Sequence, residues 1–439
     1  MNTVGRLATA IAADVRAGAI TVRQVVEHHV QHVVAVADRL GALASFDADH
    51  ALAQADAIDA DPERQNGPLA GVPVVVSDTL DVAGLPTRFG SSASTTQPKD
   101  HDAPVVAELK RAGAVILGKG RVSELGVWGT SDDPEGVAVS PWDPSRSAGG
   151  ASGGAAAAVG AGLAPLGIGA DTNGSVRGPA AACGIVGLRL LAAQSPDTAV
   201  GVLATSVADA QLVASVFGQA GPEDAVQSAA LRVAVSWKPP APGVVVSSAW
   251  REAALEAGRL LHRDGDIVAH IDPPYDRGAV QAGVARWTRA ARELFNQTEL
   301  DEDELQGRTR AHIAAGDRLT RVSRSGNDAE KWQEKIAAFF DENDLVVTPA
   351  FARSQPAASQ WHTRPWAANI AAELSAYPFF SVWEDLDDVT SVVVPLWNDG
   401  GRPLAVQLIS RGDAALNVAQ RLTTTVPWAR HAPGWGVDS

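Results

Sequence analysis

The stretch from Pro141 to Arg189, PWDPSRSAGGASGGAAAAVGAGLAPLGIGADTNGSVRGPAAACGIVGLR, constrains this chain more than any other. Its Gly, Ala and Ser content is too ordered for a linker, because two small-residue turns bracket an Ala-rich helical run and an apolar strand-like run. In the first turn the pairs Gly149-Gly150 and Gly153-Gly154 permit positive φ and remove side chains, which brings backbone close to a neighbour or a ligand. In the second, Asp171-Thr172-Asn173-Gly174-Ser175 ends the run from Pro165 to Ala170 and presents one hydroxyl. Successive backbone N–H groups in such a turn form an anion-binding nest, the usual material of an oxyanion hole.

Composition narrows what that stretch can serve. The 439 residues fit two or three average domains or one large α/β domain, and a hydrophobic content of 46% supports a substantial core. A net charge of −15 argues against nucleic acid and against an anionic membrane surface, both of which need clustered Lys and Arg. The single cysteine, Cys183, rules out an intrachain disulfide, and its setting AAACGIVG reads as a buried, inert thiol. The chain has no HExxH, no GxxxxGK[ST] and no GxGxxG between strand and helix, so no metal, nucleotide or other cofactor is expected. Residues 1–18 carry charges inside their apolar stretch, unlike a secretory signal. The small apolar run 153–170 is rich in Gly and Ala and is broken by Pro165, so no membrane span is read and a cytoplasmic protein is expected.

Along the chain, 3–17 and 21–40 read as amphipathic helices, the second capped by Thr21. His28, His29 and His32 share a face of that helix but lack acidic or Cys companions, which favours a structural role over a metal site. A strand from Val72 to Val76 delivers Ser77 and Asp78 at its carboxyl end. A helix over 103–112 and a buried strand over 114–117 follow, then the polar loop SDDPEG, expected at the rim of a cleft with Trp128 and Asp132. Later, 231–237, the helix after it and DIVAHID make a β-α-β unit, 276–340 reads as mainly helical with a break at SRSGND, and the last part is a strand pair joined by a DGG turn.

The loops GGASGG and GADTNGSVRGPAAACGIVGLR resemble the signature of the amidase signature family, Ser-dependent hydrolases of carboxamides. GPLAGVPVVVSDTLDVAGLPTRFGS at 67–91, GAVILGKGRVSELG at 113–126, SPWDPSR at 140–146, DLVVTP at 344–349 and GRPLAVQLISR at 401–411 stand in that family's order, so the resemblance covers nearly the whole chain. It implies an α/β fold: a large mixed, twisted β-sheet covered by helices on both faces. One domain over 1–439 is expected, with N-terminal helices at 1–62, the signature core at 67–217, a helical cover at 276–340 and C-terminal strands of the core at 344–411.

In that family the chemistry depends on a serine nucleophile, a second serine held with a cis peptide bond, and a lysine. Carried over residue by residue, the nucleophile falls on Ser175, the bridging serine on Ala151 and the lysine on Ser77. Ala151 has no hydroxyl to relay a proton, and an alcohol at position 77 has almost no affinity for a second proton near neutral pH. The resemblance therefore implies a hydrolase of carboxamide C–N bonds, while the residues present predict weak or no hydrolysis and a pseudoenzyme or ligand-binding role. The competing expectation is an active amidase or esterase with a rebuilt relay through Ser152 and Ser77 with an ordered water, or through His362. Under both, Thr172, Asn173, Gly174 and Ser175 form the oxyanion and substrate-binding turn, Asn173 standing where the family usually has Gly. Lys119 corresponds to a different family lysine. Asp171 and Arg177 are expected to brace the loop. The aromatic residues Trp287, Phe295, Trp332 and Phe340 are candidates for a pocket, with core packing the stronger reading for each. The partner expected is a small amide, ester or acid, with a homodimer left open.

Overall fold

The computed structural model describes residues 2–190, 199–219, 229–322, 327–383, 386 and 388–437. The chain enters through α1 (Ala8–Arg16) and α2 (Val22–Leu40). In α2 the valines at 22, 25, 26, 33 and 36 and Leu40 are buried, recurring three and four apart as a core-facing stripe requires. The Thr21 hydroxyl accepts the Gln24 N–H, the Gln24 carboxamide accepts the Thr21 N–H, and Gly41 ends the helix at φ 56°.

β1 (Leu43–Phe46), α3 (Ala48–Asp59), α4 (Pro62–Gln65), β2 (Pro73–Ser77), α5 (Pro104–Arg111), β3 (Val115–Gly120) and the two-residue strands β4 (Asp132–Asp133) and β5 (Gly136–Val137) follow. The Gly- and Ala-rich stretch then folds as α6 (Gly153–Gly160), β6 (Leu166–Ala170), α7 (Arg177–Cys183) and β7 (Val186–Arg189), continued by β8 (Val200–Ala204) and α8 (Val207–Val216). Beyond it come β9 (Arg232–Val235), α9 (Ser248–Arg263), β10 (Ile267–His270), α10 (Arg277–Asn296), α11 (Gly307–Val322), α12 (Asn327–Glu342), β11 (Leu345–Pro349), α13 (Trp366–Ala376), β12 (Val389–Asp399), β13 (Arg402–Arg411) and α14 (Ala414–Thr425).

Eleven strands form one sheet in the order β1-β3-β2-β6-β8-β7-β12-β13-β11-β9-β10. It is mixed: β2 runs parallel to β3 and β6, and β9 runs parallel to β10 and β11, while the β6, β8, β7, β12, β13, β11 neighbours pair antiparallel. Every residue of β2, and 403–410 of β13, is buried, so these largely apolar strands are covered on both faces. The expected mixed α/β sheet is thus observed, and β9, α9 and β10 form the expected β-α-β unit with β10 parallel to β9.

The helices of 276–340 are not merely a solvated cover. Trp332, Ile336 and Phe340 build a buried cluster with Val346 and Ile409 of the sheet and with Val382 and Trp383. The break expected at SRSGND lies in part outside the described residues.

Adjacent parallel strands β2 and β6 end side by side, with Val76 opposite Ile168. Ser77 therefore closes one strand and the Asp171–Ser175 turn follows the next. This is the carboxyl end of a parallel pair, where open α/β sheets place their sites.

Candidate functional site

Two loops meet at Ser175. The Ser152 N–H donates to the Ser175 carbonyl at 2.9 Å, which pins the turn before α6 to the turn before α7. The Gly150–Ala151 peptide is cis, and Ser131 supports it by donating its hydroxyl to the Ala151 carbonyl at 2.7 Å and accepting the Gly153 N–H at 2.9 Å. A side chain at position 150 would run into the backbone of Trp128, Gly129 and Thr130, so glycine is required there by close approach.

Ser175 is 8% exposed. Its hydroxyl donates to the Ala170 carbonyl at 2.6 Å and accepts the Thr172 N–H at 3.0 Å. Among the described residues no lysine, histidine or carboxylate is hydrogen-bonded to it. Asn173 and Gly174 complete the turn at φ 55° and 81°. The Asn173 carboxamide is buried with neither its nitrogen nor its oxygen hydrogen-bonded, and Asn173 lines both cavities of the site.

Asp171 and Arg177 do brace the turn. The guanidinium donates to Asp171 at 2.7 Å and to the Gln407 side chain at 2.8 Å, all within the interior. Arg177 lines neither cavity, in keeping with a bracing role. Ser77 is 1% exposed and its hydroxyl has no hydrogen-bond partner. The Ser77 and Ser152 hydroxyls both lie against Gly169, where a Cβ would come within 2.3 Å of Ser152 Oγ and 2.8 Å of Ser77 Oγ.

The basic groups near these loops are engaged elsewhere. Lys119 is fully buried: its ammonium pairs with Asp78 at 2.9 Å and donates to Thr87 Oγ1 at 2.9 Å and to the Pro86 carbonyl at 3.2 Å. Burial lowers its pKa and raises that of Asp78, and their mutual attraction opposes both shifts.

His362 does not lean over Ser175. Its backbone N–H and Nδ1 both meet Asp132, the ring at 3.0 Å. Asp132, expected at the cleft's rim, is instead fully buried, because Arg308 reaches it at 3.2 Å and Thr130 donates to it at 2.7 Å. Burial pushes its carboxyl up, but the His362 hydrogen bond and the Arg308 charge outweigh that and hold it below the usual carboxylate range. The SDDPEG loop folds inward as β4 and β5 because this charge cluster gives it an interior partner. Arg364 covers the Trp361 ring at 3.8 Å.

Ser175 stands where two cavities meet. The larger, about 500 Å³, is lined by Ser152, Gly169, Ser175 and apolar residues including Val105, Leu125 and Phe217. The smaller, about 80 Å³, lies towards α13 and has Trp128, Trp287, Tyr377 and Phe380 in its wall. Of the four aromatic candidates, Trp287 lines both cavities, Trp332 and Phe340 pack in the core, and Phe295 is partly buried against the Leu125 cluster. Trp128, the other rim candidate, is 1% exposed yet lines the smaller cavity.

Sequence reasoning missed Glu373. It sits on α13, lines the smaller cavity and accepts the Gly129 N–H; burial pushes its carboxyl up to about 7. The available signal was one acidic residue in the apolar run WAANIAAELSAYPFF.

Cys183 is buried, which raises its thiol well above the usual range. His29 and His32 bind the carbonyls of Leu163 and Ala161, and no group of residues able to hold a metal ion occurs among those described. No described helix is long and apolar enough to cross a membrane.

Comparison with known proteins identifies the family. Residues 24–413 match the Amidase family. The putative amidase AmiB2 of Mycobacterium tuberculosis is 33% identical over 95% of each chain, and an acylamidase of Rhodococcus erythropolis is 28% identical over 97% of this chain and 96% of its own. The solved structure of a 6-aminohexanoate cyclic dimer hydrolase, complexed with its substrate, superposes with a TM-score of 0.85 at 24% identity, covering 98% of this chain and 99% of that one. With the family's motifs in order, its fold around them, and a third of the residues shared with a relative of equal length, the chain belongs to the amidase family, the amidase-signature hydrolases.

Proposed function

We propose that this protein binds small carboxamides at the Ser175 cleft and hydrolyses them weakly or not at all. The observation that carries the reading is the destination of one proton: the Ser175 hydroxyl donates it to the Ala170 carbonyl, which is not a base at any physiological pH. A serine hydroxyl attacks a carbonyl only when a neighbour takes its proton. By the family resemblance that neighbour would be a serine at position 151 backed by a lysine at position 77, and Ala151 and Ser77 supply neither group.

In the Thr172–Ser175 turn the Thr172 and Ser175 N–H groups are given to Ser175 Oγ and to the Thr172 carbonyl, so only the Asn173–Gly174 part of the turn is proposed as an oxyanion site. Donors alone sustain a residual acceleration of roughly a thousandfold over water in triad-deleted serine proteases. Losing the base from a unit of this kind costs roughly four to six powers of ten. Names of relatives such as acylamidase favour carboxamides as the ligand class.

The second reading, an active amidase or esterase with a rebuilt relay, draws on one observation. Ser152 and Ser77 both crowd Gly169, and Ser152 shares the larger cavity with Ser175. A water between those hydroxyls would be the relay.

Turnover of a panel of short aryl and aliphatic amides separates the two. On the first reading the wild type and Ser175→Ala are equally silent, and Ser77→Lys combined with Ala151→Ser gains activity. Turnover by the wild type that Ser175→Ala abolishes would establish the second.

A further inference from the structure

The smaller cavity contains more than an apolar surface. Trp128, Trp287, Tyr377 and Phe380 bring four aromatic rings to its wall, and Glu373 is the single carboxyl among its lining residues, none of which is basic. The Gly129 N–H engages one carboxylate oxygen, Oε1, and the Tyr377 hydroxyl donates to the Gly129 carbonyl at 3.0 Å, so α13 and the 127–130 loop hold the carboxyl in place. Ring faces attract a cation through their quadrupoles, and a carboxylate in a low-dielectric site attracts it far more strongly than in water. A neutral ligand would leave that charge partly desolvated, balanced only by Arg308, which Glu373 shares with Asp132.

We propose that this cavity is an ammonium subsite: Glu373 and the aromatic wall select carboxamides whose group on this side of Ser175 carries a protonated amine, while the larger cavity takes the remainder. The inference rests on the reading of the Ser175 cleft as a ligand site.

The groups around Glu373 set its charge. Arg308 of α11 pulls the carboxyl down but is itself paired with Asp132, and Tyr377, just past the end of α13 and near Cys183, stays neutral because burial pushes its hydroxyl well up. With burial holding Glu373 near 7, the carboxylate is a minor form at pH 6 and dominates at pH 8. An alkylammonium stays charged across that window, so its affinity rises with pH.

The test measures dissociation constants of butylammonium chloride and 1-butanol, matched in length, by ligand-observed NMR on the full chain at pH 6 and pH 8. Butylammonium is expected to bind at least tenfold tighter than butanol at pH 8, with the preference shrinking several-fold at pH 6. Glu373→Gln keeps an acceptor for Gly129 and is expected to bind the two equally. Equal affinity in the wild type, or a preference that survives in Glu373→Gln, overturns the subsite and leaves the cleft reading standing. Binding of neither probe overturns both.

Discussion

A buried polar group without a partner is costly, and Asn173 has two such atoms in a left-handed turn. Asn173→Gly should therefore raise stability, by about 1 kcal/mol, since the lost desolvation penalty exceeds the entropy that glycine returns to the unfolded chain. The same change should weaken carboxamide binding, because Asn173 lines both cavities and a ligand's C=O and N–H would satisfy its unpaired amide. Urea midpoints beside benzamide titrations check the two signs together, and a loss of stability with unchanged binding would assign Asn173 to the scaffold. Arg177 makes the opposite case. Arg177→Met strands the Asp171 carboxylate in the interior, and a loss of about 3–5 kcal/mol in the urea midpoint analysis is expected. A loss under 1 kcal/mol would mean that Gln407 and the turn hold themselves.

At the scale of elements, local signals decided what could be read from sequence. The Thr21 cap, the alternation of Gly-rich turn, α6 and β6, and the DGG turn between β12 and β13 are all short-range devices, visible in windows of a dozen residues. Thr21→Ala should lower stability by about 1 kcal/mol, measurable by thermal or urea unfolding, because it removes one acceptor from the reciprocal cap. What stayed illegible was long-range. Glu373 reaches Gly129 across 244 positions and Arg308 reaches Asp132 across 176, and no periodicity announces either. The SDDPEG loop looked like a polar rim because its charges were visible, while the cations that pair with them, Arg308, Arg121 and Arg88, lie elsewhere in the sequence.

For the whole molecule, acid sensitivity follows from three buried imidazoles. Burial lowers the pKa of His29, His312 and His431 from the usual 6.5 to about 4. His29 already gives its Nδ1 to the Leu163 carbonyl and its Nε2 has no partner, so an added proton would be buried unpaired. The unfolded chain takes up protons below 6.5 while the folded one resists until about 4, so stability is full above that window and falls as pH drops through it. Between pH 7 and 5 the loss is on the order of 2 kcal/mol per imidazole. Glu373 acts in the other direction, since a carboxyl raised to about 7 favours the folded state as pH falls, and it offsets part of the loss. Urea unfolding at pH 7 and pH 5 should show the net decline, and His29→Gln should flatten its share; a midpoint indifferent to pH would contradict the account.

The central claim concerns one oxygen, and covalent labelling reads it most directly. Wild-type protein is treated with a small alkyl fluorophosphonate and followed by intact mass, beside Ser77→Lys combined with Ala151→Ser. The account predicts an unmodified wild type and a double variant that gains one adduct, mapped by peptide mass to Ser175. Rapid labelling of the wild type at Ser175 would contradict it, by showing that the hydroxyl is activated without either of the replaced groups.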